Sequence, residues 1–210
     1  MLKPFAVRAG HDDHDYRAVG VGDLRLGAID GSLTRMPDTP ANRQAYGSAD
    51  TSDDSAPYPQ LRDLLISGAS TRATLGVVTG PCGGDSRPKP SRSCRIGRCT
   101  SACLFTPDRL WVMDRNFPRR GADQGNLGTG THVLIRVKSD VPLNRTGAFL
   151  PDGSYPAQLS GGGVTLTVRV IEYLVAVAGQ HTPELFCLVT DLLDHAAHPA
   201  GQPAASAAFI

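Results

Sequence analysis

Two short strings hold the residues best suited to chemistry: Leu26-Gly27-Ala28-Ile29-Asp30-Gly31 and Leu110-Trp111-Val112-Met113-Asp114-Arg115. Each is a short apolar run that ends in an aspartate. In α/β proteins, buried strands present their functional groups at the carboxyl edge of the sheet. Two such strands lying side by side bring two carboxylates together, and hard oxygen donors of that kind suit a divalent cation acting on a phosphodiester. The same pattern also fits two aspartates that merely cap strands or open turns, so the surrounding residues have to decide.

Asp30 opens Asp30-Gly31-Ser32-Leu33-Thr34, followed by Pro37-Asp38-Thr39-Pro40-Ala41-Asn42 and Tyr46-Gly47. Asp114 opens Asp114-Arg115-Asn116-Phe117-Pro118. His132-Val133-Leu134-Ile135-Arg136-Val137-Lys138 and Leu150-Pro151-Asp152-Gly153-Ser154-Tyr155 come next. Each motif is short, but in this order the set resembles the catalytic domain of DDE transposases of bacterial insertion sequences, the insertion-sequence-four group. The resemblance covers roughly 24–80 and 104–195.

The resemblance implies an α/β, RNase H-like fold: a mixed sheet with the first catalytic Asp on its first strand and the second on its fourth, followed by a β-rich insertion at 146–193. It places the catalytic and metal-binding pair at Asp30 and Asp114, with Mg²⁺ (or Mn²⁺) as cofactor. It implies DNA, the ends of an insertion sequence, as partner, together with further transposase subunits. Arg115, Arg136 and Lys138 flank the pair and are the candidates for DNA phosphate contact; solubility alone would also account for them. The family's third ligand is a Glu in a helical pattern of Tyr, Arg, Glu and Lys, and no such pattern occurs here. The chain holds two glutamates, Glu172 and Glu184. Both fall in a strand hairpin, so they are poor substitutes; Asp191 and Asp194 are the two further candidates. The expectation is therefore a transposase-derived chain, truncated at both ends, incomplete and without activity.

The elements that must position the pair are read as follows. Residues 1–22 are polar and Gly-rich, a loose lead-in whose His11-Asp12-Asp13-His14-Asp15 run reads as a solvated terminus. The partial transposase domain occupies 23–195, and 196–210 read as a disordered tail of His, Ala, Pro, Gly and Ser. Residues 23–30 predict a strand. Thr39-Pro40 predicts a helix start and Gly47 its stop. Residues 59–78 predict two strands joined at Ser67-Gly68. Trp111, inside an apolar strand, reads as core. Val164, Leu166, Val168 and Val170 alternate with Thr165, Thr167 and Arg169, a half-buried strand. A turn at Ala178-Gly179-Gln180 and a return over Leu185–Thr190 complete the hairpin.

Two stretches break the pattern. Residues 80–103 have neither helix nor strand periodicity and carry Cys82, Cys94, Cys99 and Cys103, four of the five cysteines. Residues 119–130 hold four glycines, each unfavourable in a helix by roughly 1 kcal/mol against Ala. The family places helices in both. Arg, Ser, Pro, Gly and Cys are what a G+C-rich gene encodes out of frame, so both stretches read as frame-shifted and disrupted. The alternative for the cysteines is a zinc module, although they lack the Cys-x-x-Cys pairs that zinc sites favour.

Composition bounds the rest. A chain of 210 residues can bury a sizeable core. The net charge of +1 argues nothing about DNA, but residues 87–120 carry nine Lys/Arg against two Asp, a distribution suited to a phosphate backbone. No apolar run approaches 18 residues, which excludes a transmembrane helix. No signal-peptide core is present, which makes the cytoplasm the expected location. Walker-type loops, Rossmann fingerprints and Gly-x-Ser-x-Gly elbows are absent. A non-catalytic fragment that binds DNA or an intact transposase remains the reading from a different class.

Overall fold

The computed structural model describes residues 6–7, 21–47, 58–69, 72–81, 104–115, 130–138, 141–161, 164–176 and 182–207. The strands are β1 (Ala6–Val7), β2 (Arg25–Arg35), β3 (Gln60–Gly68), β4 (Thr74–Pro81), β5 (Arg109–Met113), β6 (His132–Val137), β7 (Leu143–Arg145), β8 (Tyr155–Gly161), β9 (Val164–Val175) and β10 (Glu184–Thr190). The helices among the described residues are α1 (Pro40–Tyr46) and α2 (Gly201–Ser206).

All ten strands belong to one sheet, ordered β4-β3-β2-β5-β6-β10-β9-β8-β7, with β1 beside β9. β2, β3 and β4 form an antiparallel meander, whereas β2, β5 and β6 run parallel. β10 returns antiparallel to β6, and β9, β8 and β7 continue antiparallel beyond it. This mixed, sheet-dominated α/β arrangement is compatible with an RNase H-like fold. Counted from β2, Asp30 lies on the first strand of the central group and Asp114 directly follows the fourth.

Strand β5 explains why the centre holds. Leu110, Trp111, Val112 and Met113 are all buried; a strand apolar at every position is one covered on both faces. On one face Trp111 and Met113 pack with Ile29, Ile66, Ile135, Val170 and Val189. On the other, Leu110 and Val112 pack with Leu134, Ile171, Leu188 and Ala204 of α2. Trp111 is core, as expected, with the Phe105 ring 5.4 Å away.

Local signals set α1. Thr39 accepts the Asn42 N–H at 3.2 Å, Pro40 opens the helix, and Gly47 ends it at φ 61°, a backbone angle that glycine adopts without a Cβ penalty.

Four expectations need correction. β2 does not end at Asp30 but continues to Arg35, because Gly27–Arg35 pair with β3. Ser67 and Gly68 are strand residues rather than a turn. The lead-in 1–22 contributes β1, paired parallel with Leu174 and Val175, and a buried Val21. The tail is not loose: α2 buries Pro203, Ala204 and Ser206 against the sheet. Of the stretch 80–103, Gly80 and Pro81 close β4. Cys82, Cys94, Cys99 and Cys103, residues 119–129 and the His11–Asp15 run lie outside the described residues.

Candidate functional site

Parallel pairing between β2 and β5 runs from Arg25↔Arg109 to Ile29↔Met113. The next residue on each chain is an aspartate, so Asp30 and Asp114 directly follow the last paired residues of two neighbouring strands, which lie about 4.8 Å apart. Ile29 and Met113 belong to one core face; alternation puts Asp30 and Asp114 on the opposite one. Here the sheet divides, since β5 ends while β2 stays paired with β3. That opening leaves Asp30 exposed and Asp114 half-buried. The Oδ1 atom of Asp30 accepts the Gly31 N–H at 2.6 Å.

Arg136 extends the row. Met113 pairs with Ile135, so the position after each brings Arg136 of β6 level with Asp114 and on the same face. Lys138 directly follows the end of β6. Arg115 has the opposite parity and is exposed. The Arg136 guanidinium already has partners in the protein: its Nη2 donates to Glu184 Oε1 at 2.9 Å, and its carbon stands 3.5 Å from the centre of the Phe186 ring.

Of the four candidate substitutes, all among the described residues, none joins the aspartate pair. Glu172 is level with Cys187 and Val137, on the face opposite Asp30 and Asp114, where it accepts the Tyr155 hydroxyl at 3.0 Å. Glu184 shares the pair's face but is bonded to Arg136. Asp191 stands at the other end of β6, accepting from Val133 N–H at 2.8 Å and contacting His132 Nδ1 at 2.9 Å. Asp194 accepts the Ala196 and Ala197 N–H groups, which hold its carboxyl below the usual range. Among the described residues no cluster of three metal-ligating side chains occurs. Two adjacent carboxylates nonetheless fit Mg²⁺ or Mn²⁺, which commonly keep several waters and take one or two protein carboxylates.

Cys187 is the cysteine within the described residues. Burial pushes its thiol up to about 12, helped by the nearby Glu172 carboxylate, so it is no nucleophile at neutral pH.

A second polar cluster was hidden in the sequence. Arg169, expected on the wet side of its strand, is 1% exposed. Its guanidinium donates to Asp152 Oδ2 at 2.5 Å, Ser154 Oγ at 2.8 Å, and the carbonyls of Leu192 at 3.2 Å and His198 at 2.7 Å. Asp152 also accepts the Ala200 N–H at 3.0 Å and both donors of Ser154. The Leu150–Tyr155 motif thus forms a turn, with Gly153 at φ 82°, that ties the chain entering α2 to the sheet. The Asp-Gly-Ser sequence could have revealed the turn, but nothing local reveals its arginine.

No protein-family model matches the chain, and no curated protein matches it. Among solved structures, it overlaps the piggyBac transposase synaptic complex with hairpin DNA at TM-score 0.44 and 11% identity, over 88% of this chain and 39% of that one. It overlaps endonuclease V of Streptomyces avermitilis at TM-score 0.32 and 16% identity, over 88% of this chain and 81% of that one. For endonuclease V of Bacillus subtilis the values are 0.36 and 12%, over 86% and 70%. The chain therefore spans well under half of the transposase structure. Overlaps this small carry no argument about chemistry, which rests on the geometry of the strands.

Proposed function

We propose that this chain is a transposase-derived, RNase H-like domain built for metal-dependent cleavage and transfer of DNA strands, in which Asp30 and Asp114 are the catalytic metal ligands. One observation carries the reading: the parallel register of β2 and β5 makes the two aspartates neighbours on one face, where the sheet divides. A divalent ion held there would supply Lewis-acid chemistry, favouring deprotonation of the attacking water or 3′-hydroxyl and offsetting charge on the leaving oxygen. Asp30 and Asp114 would orient that ion, and the partly open edge would admit a strand of DNA. Arg136, on the face of the pair, and Lys138, just past the end of β6, would meet phosphate.

The described residues supply two carboxylates, whereas the resemblance calls for three. Weak metal affinity and slow or absent cleavage follow, so this chain is a remnant of the transposition machinery, or a fragment that binds DNA or an intact transposase without cutting. The transposase ancestry extends to 146–193, the stretch that holds β8, β9 and β10, as the family's β-rich insertion.

Calorimetric titration with MnCl₂ tests the core of the proposal. Weak binding is expected in the parent chain, with loss in both Asp30→Asn and Asp114→Asn while far-UV circular dichroism stays the same. Equal Mn²⁺ affinity in all three proteins would sink the assignment. Nicking of supercoiled plasmid, followed in parallel, separates a slow enzyme from a binding fragment.

A further inference from the structure

The row of functional side chains does not stop at the carboxylates. Arg136 is opposite Leu188 in the antiparallel β6–β10 pair, which makes Phe186 its diagonal neighbour on the same face, within reach of a long side chain. Phe186 is in turn directly opposite Tyr173 of β9, and their rings are 5.6 Å apart. Tyr173 is buried at 5% exposure, so its ring serves as a packed floor beneath Phe186. A ladder results: Tyr173 supports Phe186, and Phe186 lies under the Arg136 guanidinium.

Such a stack has a chemical consequence. A free arginine loses side-chain entropy when it grips an anion; here the guanidinium carbon already rests 3.5 Å from the centre of the Phe186 ring, which restricts the side chain before any anion arrives. Among the described residues one of its five donors is engaged, Nη2 with Glu184, and this bond with a half-exposed carboxylate is one that an arriving phosphate can replace. Guanidinium forks match phosphate oxygens geometrically, which a lysine point charge does not. We infer that Arg136, held over the Phe186 ring and level with Asp30 and Asp114, is a preorganised clamp for the DNA backbone, with Phe186 as its positioning residue. This inference rests on the reading of the aspartate pair as a DNA-processing site.

The test uses the full chain and a fluorescein-labelled DNA duplex of arbitrary sequence, with EDTA present so that no metal contributes. Affinity is measured by anisotropy across a salt series. Arg136→Ala should weaken binding about tenfold and reduce the slope of log affinity against log salt by about 1. Arg136→Lys should keep the slope but lose part of the affinity. Phe186→Leu, which keeps the apolar bulk, should fall between the parent and Arg136→Ala. Parent-like affinity and slope in Arg136→Ala would overturn the inference, as would a parent chain that does not bind the duplex. A Phe186→Leu variant indistinguishable from the parent would remove the positioning role. Mn²⁺ titration of the parent without DNA scores the aspartate pair independently, so failure of the clamp and failure of the metal site are told apart.

Discussion

Gly27 and Trp111 are partners across the parallel β2–β5 pair, and a Cβ built on Gly27 would lie 2.1 Å from the indole ring. The backbone fixes where that Cβ would go, so no rotamer relieves the contact, and the ring is walled in by core. Gly27→Ala should therefore destabilise the domain by about 3 kcal/mol, at the upper end for overpacked cores, read as a lower urea midpoint at unchanged slope. Arg169 makes the opposite case, a large side chain whose removal leaves a charge behind. Arg169→Met should cost about 3–5 kcal/mol, because Asp152 would stay largely buried without its cation; the melting temperature checks it. The two residues differ in legibility. Gly27 sits in the apolar run Leu26–Ile29, where only its smallness hints at a close neighbour. Arg169 falls on the polar beat of an alternating strand, and what buries it comes from the chain around 192–200, some 25 residues later.

At the scale of elements, the two helices show where sequence reading works and where it stops. α1 buries no residue, so its existence depends on local chemistry: the Thr39 cap, Pro40 at the start and Gly47 at the end. Those signals lie within the segment, and the helix was legible from them. Thr39→Ala should remove about 1 kcal/mol of local stability, visible as faster amide exchange at Asn42 and Arg43 while the core amides of β5 keep their protection. α2 is the reverse. Its cap position, Ala200, offers no side-chain hydrogen bond, and the Ala-Pro-Gly-Ser composition around it reads as a tail. The helix is held by docking, with Ala204 at 2% exposure against the face that carries Leu110, Val112 and Leu188. Ala204→Asp would drive a carboxylate into that face at a cost of a few kcal/mol. Limited proteolysis should then cut within 194–207 first. The aspartate pair lies between these extremes. Two apolar runs ending in Asp were visible in the sequence, but their register and shared face came only with the pairing of β2 and β5.

For the whole molecule, the Asp152–Arg169 cluster joins three parts far apart in sequence: the β7–β8 turn, strand β9 and the chain leading into α2. That linkage gives stability an acid limit whose sign follows from the carboxyl. Burial disfavours the Asp152 charge, but the Ser154 hydroxyl and N–H, Arg169 and the Ala200 N–H outweigh it, and the group is held below the ordinary carboxylate value. In the unfolded chain an aspartate titrates near about 3.9. Above that value both states are ionised and the cluster's contribution is fully present. As pH falls from there through the lower folded value, the unfolded state takes up its proton first, and the contribution is lost. Asp38, Asp108 and Asp194 are held low as well, chiefly by hydrogen bonds from Arg43, Thr106 and the Ala197 N–H respectively, yet all three are solvated and screened. Asp152, with 16% of its side chain exposed, should therefore dominate the acid limb. Urea midpoints taken from neutral pH down to about pH 2.5 should be level above the unfolded Asp range and fall below it. In Asp152→Asn the neutral-pH midpoint should be lower and the acid fall shallower, because the group whose protonation differs between states is gone. Parallel curves for the two proteins would place the acid sensitivity elsewhere in the sheet.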